Sequence, residues 1–403
     1  MKFDALVAML LNLLLFAGGR STKPSCCPKV DPDAFRNVSE LIANRGYLVE
    51  EYYVETTDNF ILGVQRIPHG RAGRSRGPKP VVFLQHGLLA DSSNWVQNFP
   101  DNSLGYILAD NGFDVWLGNI RGNRYSRRNR HLKPNQKEFW DWSFQEMAQY
   151  DIPAMLKHAL EISGQDQLFY IGHSQGTLVA FTGFSSNPEL AKKVKLFIAL
   201  APIYQLDHTA AILRDLAFTL DPLEELLRPL GEIEFLPGRL LQKLIDIGFC
   251  GSKWSEQACY DLGGYIFGFD DSNNNMSRVP VYLSNWPAGT SLKNIIHFGQ
   301  LILSGRCQKF NYGRKGNQKH YHQDSPPVYN VSKMITPTAF FFGGCDSLSN
   351  ATDVEALIPK VPDLVLTQFF PKWNHVDFVF GEDATQVLYN HLVKIMHDSS
   401  VEQ

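Results

Sequence analysis

Leu168-Phe169-Tyr170-Ile171-Gly172-His173-Ser174-Gln175-Gly176-Thr177-Leu178-Val179-Ala180 is the stretch on which the reading of this chain turns. Four apolar residues without alternation read as a strand buried on both faces. Gly-x-Ser-x-Gly follows, and then a run with the composition of a buried helix. A sharp strand-to-helix turn crowds the backbone on either side of its central residue, so the flanking positions must be small. Ser174 would then project its hydroxyl at the N-terminus of a helix, where the dipole favours developing negative charge. The pentapeptide alone is moderate evidence. Its strand-then-helix context makes Ser174 a candidate nucleophile.

A serine hydroxyl needs a base, and the base needs an orienting acid, in the chain order serine, acid, histidine for this kind of turn. Gly343-Gly344-Cys345-Asp346 follows the apolar run Thr338 to Phe342, placing a carboxylate at a strand end. Trp373-Asn374-His375-Val376-Asp377 follows Leu364 to Phe369 and places an imidazole at the same edge. Asp346 and His375 are therefore the expected partners of Ser174. Asp377 is the rival acid, but two residues from the histidine it is better suited to steadying the loop. The oxyanion of an acyl-transfer intermediate would be held by the backbone N–H groups of Gln175 and of Leu88, in the loop Gln85-His86-Gly87-Leu88-Leu89 that ends the strand Val81 to Leu84.

Outward from this core, Val81 to Leu84, Phe113 to Leu117, Leu168 to Ile171, Val194 to Leu200, Thr338 to Phe342 and Leu364 to Phe369 read as strands without alternation. Helical stretches at Phe144 to Ser163, Thr177 to Ser185 and Ala384 to Met396 intervene, the pattern of a mostly parallel α/β sheet covered by helices on both faces. Tyr47 to Val54 and Phe60 to Ile67 form a hairpin-like opening across Asp58-Asn59. Between Ile203 and Pro326 the rhythm stops, so residues 20–202 and 327–403 read as two parts of one core and residues 203–326 as a cap inserted between them. Leu213, Leu216, Leu220, Leu223 and Leu226 mark an apolar helical stripe in that insert.

The chain has 403 residues, with 38 Lys and Arg against 41 Asp and Glu, and this near balance speaks against nucleic-acid binding. An aromatic share of 12%, including 27 Phe, implies much apolar surface to bury or to offer to a greasy ligand. Residues 1–19, with Lys2, an apolar stretch from Ala5 to Ala17 and small residues at Gly18-Gly19, read as a signal peptide. No later apolar run reaches the length needed to span a bilayer. Asn37, Asn275, Asn330 and Asn350 head glycosylation sequons. No Cys/His cluster has metal-ligand spacing and no cofactor is implied. Cys307 reads as free and buried, and Cys345 as packed below the loop of Asp346.

Further motifs carry a resemblance: Gln85-His86-Gly87-Leu88-Leu89-Ala90-Asp91-Ser92-Ser93-Asn94-Trp95, Gly118-Asn119-Ile120-Arg121-Gly122-Asn123, Glu146-Met147-Ala148-Gln149-Tyr150-Asp151-Ile152-Pro153-Ala154 and His375-Val376-Asp377-Phe378. From Asp31 to Met396 the chain resembles the acid lipase family of gastric and lysosomal lipases. The resemblance implies an α/β-hydrolase core with a cap and movable lid, and cleavage of neutral-lipid esters such as triacylglycerols and cholesteryl esters. It carries a Ser-Asp-His triad to Ser174, Asp346 and His375, and oxyanion donors to Leu88 and Gln175. It also implies a disulfide between Cys250 and Cys259, and secretion or lysosomal delivery. No role is assigned to Cys26 or Cys27. Asn59 stands where relatives usually have Gly, and Ala351 where they usually have Pro, which opens the sequon at Asn350. Two other readings remain at this point: a non-catalytic lipid-binding protein on a hydrolase scaffold, or an esterase of small soluble esters.

Overall fold

In the computed structural model, residues 31–73, 77–209, 214, 234–235 and 273–401 are described. The expected signal peptide, the stripe from Leu213 to Leu226, and Cys26, Cys27, Cys250 and Cys259 lie outside them. The strands are β1 (Glu50–Glu55), β2 (Phe60–Ile67), β3 (Val81–Gln85), β4 (Asp114–Gly118), β5 (Leu168–His173), β6 (Val194–Leu200), β7 (Thr338–Gly343) and β8 (Leu364–Phe370). They lie side by side as β1-β2-β4-β3-β5-β6-β7-β8, antiparallel through the first three and parallel from β4 onward. A two-residue strand at Arg128–Asn129 adds to the end of β2. The longer helices are α1 (Leu104–Asp110), α2 (Ile152–Ser163), α3 (Gln175–Ser186), α4 (Val279–Asn285), α5 (Leu292–Ser304) and α6 (Asn390–Val401). No helix of the described residues is long and apolar enough to cross a membrane.

The period-two geometry of a strand explains why the central runs show no polar alternation. Val82 and Leu84 of β3 pack with Ile171, Ile198, Leu200, α1 and α6 on one face. Val81 and Phe83 pack with Tyr170, Phe197, α2 and α3 on the other. Each fully buried large side chain in these two layers contributes about 1.5–3 kcal/mol relative to exposure. β8 departs from the expectation, because Val365, Thr367 and Phe369 are exposed in alternation with half-buried neighbours. It is the last strand of the sheet, and its outer residues are exposed. At the opposite end Asn59 takes φ 72°, and Thr56 and Phe60 close the β1–β2 turn around it.

Among the described residues, 203–326 add no strand to the large sheet. Glu234–Phe235 pair with Thr290–Ser291 in a small separate ribbon that leads into α5. Arg278, fully buried at the start of α4, donates to Asp31, Asp33 and the Gln97 carbonyl. The middle of the insert is thereby fastened to the first described residues.

Candidate active site

β5 delivers Ser174 through a turn with almost no spare room. A Cβ on Gly176 would lie 2.4 Å from the Gln85 carbonyl oxygen, and one on Gly172 would lie 2.7 Å from the Gly176 carbonyl. Ser174 itself sits at φ 54°, ψ −121°, a conformation that costs of order 1–3 kcal/mol for a residue with a side chain. The surroundings hold it there. Its N–H donates to Leu200 of the next strand at 3.1 Å, and its carbonyl accepts from the N–H of Thr177 at 2.8 Å and from the Thr177 hydroxyl at 2.7 Å.

β7 and β8 bring the other two residues to the same edge. The Ser174 hydroxyl donates to Nε2 of His375 at 2.8 Å, and Nδ1–H of His375 donates to Asp346 at 2.8 Å. The second Asp346 oxygen accepts the N–H groups of Ser349 at 2.7 Å and Leu348 at 2.9 Å. Burial is the largest influence on Asp346 and pushes its pKa up, but the His375 ring and these N–H groups outweigh it and hold the carboxyl below its ordinary value. All three side chains are buried, with Ser174 the most open at 9% exposure, so a substrate carbonyl reaches the hydroxyl only by a defined approach. Asp377 takes a different position: it accepts the Asn374 N–H at 2.7 Å and an Asn274 N–H at 3.2 Å.

The loop after β3 lies against the serine, since a Cβ on Gly87 would come within 3.0 Å of Ser174 Cβ. Leu88 follows directly, and Leu89 turns the chain at φ 59°. Gln175 opens α3, so its N–H has no acceptor within the helix. Gln175 thus follows the serine directly, and Leu88 follows the glycine that lies against it.

Two further histidines, His86 and His173, brace this arrangement. Nδ1–H of His86 donates to the Gly87 carbonyl at 2.8 Å, while Nε2 accepts from Ile120 N–H at 3.3 Å and from Asn123 at 3.2 Å. Burial depresses its pKa to about 4, which keeps the neutral tautomer those bonds require. Nε2–H of His173 donates to the His375 carbonyl at 2.9 Å, and burial followed by the neighbouring His375 ring depresses His173 to about 3. Arg121 and Asp151 form a buried pair at 2.6 Å, with Asp58 on the other side of the guanidinium at 2.6 Å, and so anchor the segment that carries Asn119 and Asn123. Removing one partner of such a pair costs about 3–5 kcal/mol.

Of the remaining expected positions, Cys307 is free and buried. Cys345 is exposed rather than packed below its loop, and its thiol reaches the Pro371 carbonyl at 3.6 Å. Asn37, Asn275, Asn330 and Asn350 each cap the N-terminus of a helix or helical turn at the surface. No group of three or more His, Cys, Asp or Glu side chains that could hold a metal occurs among the described residues.

Residues 38–99 match the family described as partial alpha/beta-hydrolase lipase region, and residues 80–223 match the alpha/beta hydrolase fold. The chain is 45% identical to the lysosomal acid lipase/cholesteryl ester hydrolase of Homo sapiens over 98% of both proteins. It is 45% identical to human lipase member K over 91% of this chain and 92% of that protein, and 43% identical to human gastric triacylglycerol lipase over the same shares. Among solved structures, an epoxide hydrolase from Vigna radiata superimposes with a TM-score of 0.52 at 16% identity, over 87% of this chain and 98% of that one, a likeness of fold alone. With near-full-length identity at this level, the chain belongs to the acid lipase family of α/β hydrolases.

Proposed function

We propose that this protein is a serine hydrolase that cleaves carboxylic esters of neutral lipids, triacylglycerols or cholesteryl esters, through an acyl-enzyme. The observation that carries the reading is the unbroken path from the Ser174 hydroxyl through the His375 ring to Asp346, with both contacts at 2.8 Å. His375 takes the serine proton as the oxygen attacks the ester carbonyl. The resulting oxyanion is met by the N–H groups of Leu88 and Gln175, and His375 returns the proton to the departing alcohol. Water, deprotonated by the same ring, then releases the fatty acid. Asp346 fixes the tautomer throughout and balances the imidazolium. The lipid substrate class is supported by the kinship with an acid lipase and a gastric triacylglycerol lipase. Entry into the secretory pathway, to the lysosome or to the outside, is supported by the N-terminal apolar stretch and the same relatives.

Ser174→Ala should retain the native fold and lose both long-chain triacylglycerol hydrolysis and labelling by a fluorophosphonate. A folded Ser174→Ala protein that still hydrolysed the ester would overturn the reading. A wild-type chain that bound lipid but took no label would instead favour a lipid-binding protein on this scaffold.

A further inference from the structure

Gln175 enters the mechanism above only through its backbone N–H, a role any residue but proline could fill. Its side chain is nevertheless buried at 1% exposure and held in place. Gln175 Oε1 accepts from Nδ2 of Asn294 at 2.7 Å, and its Nε2 points at the sulfur of Met147 at 3.6 Å. A buried carboxamide left unbonded costs about 1–3 kcal/mol, so its partner is not incidental. That partner comes from outside the core. Asn294 lies in the first turn of α5, which follows the small ribbon of the inserted segment.

Asn294 has no exposed surface, and its carboxamide is fully engaged. Its oxygen accepts the N–H of Phe144 at 2.8 Å, and its nitrogen reaches Thr290 Oγ1 at 3.2 Å as well as Gln175. Its backbone N–H donates to Ser291 Oγ at 3.0 Å. Phe144, Gln175 and Leu292 each begin a helix. One side chain therefore sits where three helix N-termini meet and bonds the opening residue of two of them, one being Gln175, which directly follows Ser174.

We propose that Asn294 is a positioning residue for the oxyanion donor: by fixing the Gln175 side chain it holds the first peptide of α3 in place, and it ties the seating of the inserted segment to stabilisation of the tetrahedral intermediate. The proposal rests on the reading of Gln175 N–H as that donor. Asn294 touches neither the serine nor the ester and acts through Gln175 alone. Losing an oxyanion donor costs about 10²–10³ in kcat, so a donor displaced rather than deleted should cost about 10- to 100-fold.

The test uses the full chain as Asn294→Ala, Gln175→Leu and the double variant, with kcat and KM for triolein and the inhibition constant of a straight-chain alkylboronic acid, whose serine adduct places an oxygen at the oxyanion position. Each single variant should lose about 10- to 100-fold in kcat, with KM within about twofold and boronate binding weakened by the same factor as kcat. The double variant should fall no further than either single, because both remove one interaction. A folded Asn294→Ala with wild-type kcat and boronate affinity and only a lower Tm would reduce Asn294 to a structural residue and overturn the proposal. A double variant that lost the product of the two single effects would also overturn it. If Asn294→Ala does not fold, Gln175→Leu decides alone, and full kcat there refutes the idea. Ser174→Ala separates the levels: hydrolysis by that variant defeats the serine reading and this inference together, whereas an inactive Ser174→Ala beside an unimpaired Gln175→Leu defeats this inference only.

Discussion

Asp346 and Asp377 are buried carboxylates on neighbouring loops, both close in sequence or in space to the same histidine, and their oxygens face different ways. Asp346 gives one oxygen to the backbone of its own loop and leaves the other for the His375 ring. Asp377 gives one oxygen to Asn374, just before the histidine, and the other to Asn274 from the inserted segment. The first braces a proton-carrying ring, and the second braces the loop that the ring stands on. Residue type and burial are the same in the two regions, so it is the direction of the second oxygen that fits Asp346, and not Asp377, to the proposed role of the acid.

The largest effect should come from exchanging one atom in each region. Asp346→Asn keeps the loop's N–H bonds but presents an amide to Nδ1, favouring the tautomer that cannot accept the serine proton, and kcat should fall about 10⁴-fold in a protein that still folds. Asp377→Asn should leave kcat of the folded enzyme within about tenfold and instead lower stability by about 1–3 kcal/mol, read by thermal melting. Equal losses of activity in the two variants would erase the distinction drawn here.

A smaller effect tests whether loop bracing reaches the chemistry at all. His173→Leu removes the N–H that holds the His375 carbonyl, and a ring no longer pinned from below should cost about tenfold in kcat with little change in KM. No change would confine bracing to stability. The smallest effect concerns acid. Because Asp346 is held below the ordinary carboxylate value of 3.8, its stabilising contribution is complete above that value and disappears as pH falls through its lower native value. The Tm gap between wild type and Asp346→Asn should therefore stay level from about pH 7 to 5 and close below about pH 4. A gap that widened on acidification would reverse the sign.

The strand ends that bring Ser174, Asp346 and His375 together were legible because continuous apolar runs announce a parallel sheet and its carboxyl edge is where the loops gather. The tautomer-fixing bonds of His86 and His173 were not, although both residues stood inside motifs, since a lone buried polar side chain has no periodicity to declare its partner. Asn294 is harder still: it meets Gln175 across 119 positions, and neither residue's type announces the other. β8 misled because an apolar run does not say whether its strand ends the sheet. Cys345 misled because its proximity to a buried aspartate was taken for burial, whereas adjacent residues of a loop can face opposite ways.

Arg278 joins residues 247 positions apart when it binds Asp31, and this sets a clock on biosynthesis. At translation rates of about 5–20 residues per second, Asp31 must wait on the order of 10–50 s for that guanidinium to be made. Until then Asp31 and Asp33 have no Arg278 to bind, and a chain cut back past residue 33 would leave the buried guanidinium only the Gln97 carbonyl. Removal of the first two acidic residues of this segment is thus expected to be felt in the inserted segment, 245 positions later.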